Sequence, residues 1–178
     1  MPTSLFATSG ALGVQLGAVF TPDTSAVTFV NGLYPNLALG TRVTATDSSV
    51  WVLVLMSTGG ITGDGYVCTF DENFTAVMLS TSNDVYGKPV GVPICGAAVA
   101  GDYVWLQIAG TCSAVRGVAL TAPNVPLLAT STAGQIDDGV TSGLFIRNMV
   151  YTTAVGASDG TAEGQLNFPL IDTFPTAA

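Results

Sequence analysis

The sequence has no histidine and little charge: four basic and twelve acidic residues among 178. Without imidazole the chain lacks the commonest general base, the usual nucleophilic triads and most zinc sites. The basic residues Arg42, Lys88, Arg116 and Arg147 stand singly. A phosphate backbone is held by clustered cations that release counterions, so nucleic acid is not an expected partner. Cysteine is scarce and odd in number, with Cys68, Cys95 and Cys112 in no CxxC spacing. That excludes a disulfide framework; the expectation is buried free thiols acting as small hydrophobes, with a single pair or one reactive thiol as the alternative.

Long apolar runs are missing too. The longest, 50–56, has seven residues, against the roughly 20 that a spanning helix needs, so no membrane partner is expected. The first residues, Met1-Pro2-Thr3-Ser4-Leu5-Phe6-Ala7, carry no basic n-region, and a signal peptide is not expected there. Together with the unpaired cysteines, this fits a cytoplasmic origin. No GxGxxG opens a helix and no P-loop occurs, so nucleotide binding has no support and no cofactor is assigned.

What the sequence does contain is apolar and small: 48% hydrophobic residues and 21 glycines, with 9% charged where about 25% is usual. Soluble monomers seldom expose large apolar patches, so the composition points to a homo-oligomer or a lattice whose subunits cover one another. The net charge of −8 serves solubility.

Glycines in 10–20 disfavour a helix, and Pro22, Asn31-Gly32 and Pro35 punctuate the next stretch. Residues 1–36 therefore read as an extended or turn-rich N-terminal arm, lying over its own domain or over a neighbour. Strand-forming segments then recur at 50–56, 66–70, 74–79, 91–94, 103–108, 113–119, 125–129, 144–153 and 163–168. No long amphipathic helix interrupts them. The fold class is all-β, a β-barrel or β-sandwich of short antiparallel strands, with a core domain at 37–169 and a C-terminal tail at 170–178.

The most informative stretch is 97–110. A Gly101-Asp102 turn leads into a strand with Val104, Leu106 and Ile108 on one face and Tyr103, Trp105 and Gln107 on the other, closed by Gly110. Ile61-Thr62-Gly63-Asp64-Gly65-Tyr66-Val67 echoes its start, and Thr75-Ala76-Val77 is matched by Ser113-Ala114-Val115. These echoes read as one hairpin device used twice, the alternative being chance similarity in a biased composition. The acidic pairs Asp71-Glu72 and Asp137-Asp138, and the turn residues Asp64 and Asp102, are weighed as carboxylate pairs or calcium ligands. Adjacent strand residues point to opposite faces, and aspartate has a structural use in turns. No catalytic, cofactor-binding or metal residue is assigned, and the chain is not expected to be an enzyme. Trp51, Trp105, Tyr66, Tyr103 and Tyr151 lie in expected strands, where packing outweighs ligand stacking.

The order of motifs adds a resemblance. Leu39-Gly40-Thr41-Arg42-Val43, Asp47-Ser48-Ser49-Val50-Trp51-Val52, Gly60-Ile61-Thr62-Gly63-Asp64, Phe70-Asp71-Glu72-Asn73, Gly91-Val92, Ala100-Gly101-Asp102-Tyr103-Val104-Trp105-Leu106-Gln107 with Gly110, Asp137-Asp138-Gly139 and Leu166-Asn167-Phe168-Pro169 occur in that order. The chain thereby resembles the small decoration, or cement, proteins encoded beside the major capsid protein of tailed bacteriophages. The resemblance spans 37–169 and rests on turn and packing residues. It implies a β-rich virion protein on the outer capsid surface, often a homotrimer, that bridges major capsid protein subunits after assembly in the host cytoplasm. A tail, adaptor or fibre component is the alternative in the same setting. A third reading, a carbohydrate-binding β-sandwich or a minor enzyme, requires the aromatic residues, Tyr103 and Trp105 among them, to form an exposed platform.

Overall fold

The computed structural model describes residues 16–21, 37–83, 86–139 and 144–172. Ten strands follow one another: β1 (Arg42–Thr44), β2 (Val50–Met56), β3 (Cys68–Phe70), β4 (Thr75–Met78), β5 (Val90–Pro93), β6 (Tyr103–Gly117), β7 (Leu127–Ala129), β8 (Ile136–Asp137), β9 (Phe145–Tyr151) and β10 (Gly160–Asp172). No helix occurs among the described residues, and the architecture is a closed five-strand mixed barrel with further strands attached.

β6 organises the sheet. It pairs antiparallel with β2, β5 and β10 and parallel with β8. Two pairing circuits return to it, one through β2, β4, β3 and β5 and one through β10, β9, β7 and β8. A closed circuit leaves no open edge within it, which removes the usual template for unwanted strand addition.

The all-β expectation holds, with two refinements. β2–β4 and β6–β8 are parallel, whereas a rhythm of strands and short turns leads one to expect antiparallel neighbours. Short turns specify only consecutive pairs, as at β3–β4; closure between strands distant in the chain is set by tertiary packing. β6 and β10 are also long, at 15 and 13 residues.

Gly110 does not end β6. It takes a φ of +96° beside a register shift between β2 and β6. A Cβ there would stand 2.9 Å from the Ser49 Cα, so only glycine lets the two backbones approach while the strand bends and continues. Gln107, 1% exposed, spans the bend by donating its amide N–H groups to the Ala109 and Thr111 carbonyls at 3.2 and 3.0 Å.

The bend distributes one strand among three hydrophobic clusters. Val104, Leu106 and Ile108 join Val52, Val54 and Met56. Trp105 points the other way, to Trp51, Leu53 and Val43, and beyond Gly110 the residues Cys112 and Val115 enter the cluster of Leu127, Ile146 and Leu166. β2 is thus packed on both faces, as its β-branched and aliphatic run demands.

Within the described part of the arm, Leu16 is fully buried in the tryptophan cluster, and Phe20 exchanges backbone hydrogen bonds with Tyr103 at 3.0 and 2.8 Å. These residues lie over their own domain; the arm at 1–15 and 22–36 falls outside the described residues. At the other end β10 extends through Asp172, past the start of the expected tail, because Ile171 is buried and its N–H donates to the Lys88 carbonyl. Residues 173–178 lie outside the described set.

Candidate functional site

Each group with reactive potential can be located by what surrounds it. Cys68, Cys95 and Cys112 are buried free thiols. Burial pushes the Cys68 thiol far up, with Cys95 adding to it; burial and then the Asp64 charge push Cys95 up to about 12, and burial pushes Cys112 up to about 11. A thiol held protonated in an apolar cluster is a poor nucleophile. The Tyr151 hydroxyl is raised as well, by burial and then by Asp137.

Asp71, Asp102, Asp137 and Asp138 each accept a backbone hydrogen bond, while the second oxygen of Asp102 is buried without a partner. Asp71 Oδ1 accepts from the Asn73 and Thr75 N–H groups at 3.0 and 2.9 Å. Asp138 Oδ2 accepts from the Ala122 N–H at 2.9 Å, and Asp137 Oδ1 accepts from the Asp138 N–H at 2.8 Å. Asp102, 3% exposed, accepts from the Val99 N–H at 2.8 Å. Asp64, its echo in the sequence, is exposed, so the two Gly-Asp turns are built differently. Among the described residues, no three His, Cys, Asp or Glu side chains gather as a metal site.

The aromatic residues are equally occupied. Trp51 and Trp105 are fully buried and Tyr151 with them, while Tyr66 carries the Arg116 guanidinium 4.8 Å above its ring centre. The fully buried Trp105 and the partly buried Tyr103 do not form the exposed platform of the carbohydrate-binding reading.

The open feature lies elsewhere, where β9 and β10 part. Leu166 pairs with Met149 and Leu170 with Arg147, so Asn148 alone faces the three residues Asn167, Phe168 and Pro169. A wide bulge of this kind interrupts the ladder and turns side chains outward. Asn148 adopts a φ of +63° and Phe168 one of +52°. The groove beside it, about 470 Å³, is lined by the residues Asn124, Asn148, Gln165 and Asn167 and by apolar residues including Val125, Pro126 and Phe145. Arg147, next to Asn148, is tied to Asp172 in an ion pair.

Sequence reasoning did not single out Asn124, Asn148 or Gln165, and Asn167 entered it only within the 166–169 motif. They come from the segment before β7, from β9 and from β10, and nothing local in the chain joins them. The Asn167-Phe168-Pro169 run was the available signal, because proline disfavours a helical neighbour and removes a ladder donor.

The fold and groove define an all-β mixed-barrel protein with a neutral, partly apolar surface cleft. In comparisons with known proteins, no family model, no curated protein and no solved structure matches the chain.

Proposed function

We propose that this protein is a structural component of a virion, a capsid decoration protein that binds the outer surface of an assembled phage head and bridges major capsid protein subunits. The observation that carries the reading is the exposure of large apolar side chains on a chain so poor in charge. Tyr86, Val99 and Leu120 are 64–72% exposed, although both tryptophans and most other large apolar residues described are drawn into the three clusters inside. Such residues suit permanent contact with neighbouring subunits, where charge is depleted and aromatic residues are enriched. The motif order shared with cement proteins supports the same reading. So does the chemistry: thiols held protonated and aspartates bonded to backbone N–H groups suit a scaffold better than a reaction centre.

The mechanism is mechanical. A protein that binds the assembled shell more tightly than loose subunits stabilises the shell by linkage. Self-association into a trimer belongs to the same proposal. The test is to count copies per particle against the major capsid protein and to heat or osmotically shock particles lacking this protein. Hundreds of copies and earlier rupture are expected. About a dozen copies confined to one vertex would favour a tail or adaptor role instead, and unchanged robustness would overturn cementing.

A further inference from the structure

The groove beside the β9–β10 bulge has features the capsid reading does not use. The polar side chains among its lining residues are all carboxamides, although the chain has twelve acidic residues, and no charged residue lines it. A carboxamide presents a donor and an acceptor side by side, which matches neighbouring hydroxyls on a sugar ring. Gln165 is set in place at both ends, its Oε1 accepting from the Thr111 hydroxyl at 3.1 Å and its amide N–H donating to the Leu166 carbonyl at 3.5 Å, which leaves each end one further site for a ligand.

The backbone supplies a second observation. Asn124, Asn148 and Phe168 all hold a positive φ, at 59°, 63° and 52°. Asparagine tolerates this conformation; phenylalanine before a proline does so only under strain. That strain does not bury the ring, since Phe168 remains 48% exposed. Strain retained at an exposed aromatic, beside a groove of hydrogen-bonding groups, is the pattern of a ligand site.

We infer that this groove binds a neutral saccharide, whose hydroxyls pair with the carboxamides of Asn124, Asn148, Gln165 and Asn167 while its apolar ring face rests on Phe145, which lines the groove. The absence of lining charge selects against sialylated or uronic sugars, whose carboxylates would meet no cation among the lining residues and a net charge of −8 around them. The inference does not depend on the capsid reading, and the experiment separates the two.

The full chain is titrated, by NMR of its side-chain amide groups, with neutral hexose and N-acetylhexosamine oligomers and with sialylated and uronic oligomers. Selective shifts of Asn124, Asn148, Gln165 and Asn167 with a neutral oligomer, at about millimolar affinity or tighter, are expected. Asn148→Gly keeps the positive φ; combined with Asn167→Ala it should weaken binding by about tenfold or more, whereas Glu72→Gln at the β3–β4 turn should not. The inference is overturned if no neutral oligomer shifts these amides, if charged oligomers bind equally, or if the double variant binds normally. Shell binding is assayed in parallel. If the double variant loses shell binding and the wild type binds no sugar, the groove is a protein contact and the saccharide site is refuted, while the capsid reading stands.

Discussion

Trp51 donates its indole N–H to the Ser49 hydroxyl at 2.7 Å, and the Ser49 hydroxyl donates in turn to Asp47 Oδ1 at 2.6 Å. An exposed aspartate thereby reaches a fully buried indole through one buried hydroxyl. Trp105, in the same cluster, has no partner for its indole nitrogen. Ser49→Ala should leave a second buried N–H unpaired and cost about 1–3 kcal/mol of stability. Asp47→Ala takes the acceptor from the Ser49 N–H and hydroxyl but leaves the indole its partner, and should cost less. Urea unfolding of both variants checks the order; equal costs would show that the relay does not support the indole.

Gly117 and Tyr151 form a second coupled pair. The Tyr151 hydroxyl is buried without a partner, and it occupies the place where a Cβ on Gly117 would lie, with Val155 Cγ2 only 2.9 Å from that position. Gly117→Ala should destabilise by roughly 1–3 kcal/mol through overpacking. Tyr151→Phe removes the unpaired hydroxyl and should be close to neutral. Combining them should recover part of the Gly117→Ala loss in a double-mutant cycle. Strict additivity would show that the hydroxyl is not the obstacle.

The three thiols predict a weakness in alkali. Their folded pKa values lie above the ordinary value of 9.0, so above about pH 9 the unfolded chain gives up protons that the folded chain keeps. Stability is therefore intact below that pH and falls as pH rises toward 11 or 12, by roughly 1.4 kcal/mol per unit for each thiol. The Tyr151 hydroxyl acts in the same direction. Unfolding midpoints measured from about pH 8 to 10.5 should decline, and less steeply in Cys112→Ala. Parallel slopes would exclude Cys112 as a contributor.

Phe168→Gly should relieve the strained φ at +52°. Left-handed backbone costs a larger residue about 1–2 kcal/mol, while glycine brings an entropic penalty of about 0.5–1. The half-exposed ring contributes little packing in return. The variant should range from unchanged to about 1 kcal/mol more stable in thermal unfolding. A marked loss would mean that the ring holds the bulge together.

Much of the fold could be read from the chain because its signals are local. The run Val50–Met56 is β2 to the residue, since seven consecutive apolar positions, three of them β-branched, leave no other way to bury both faces. The two faces of the strand starting at Tyr103 enter separate clusters, as alternation requires. Buried, unpaired cysteines follow from their apolar neighbours. Gly110, in contrast, reads as a terminator, and its use as a bend within β6 depends on the Ser49 backbone across the sheet.

By itself the sequence determined the all-β class, the place of β2 and of the strand starting at Tyr103, and the inward place of Trp105. Composition and a period of two dictate these without reference to distant residues. Only the tertiary structure decided that β2–β4 and β6–β8 run parallel, that β6 closes two circuits, and that Asn124, Asn148, Gln165 and Asn167 meet at one groove. Pairing between distant strands is set by which register buries the most apolar surface across the whole molecule. A groove made by three separate segments exists only once that packing is complete.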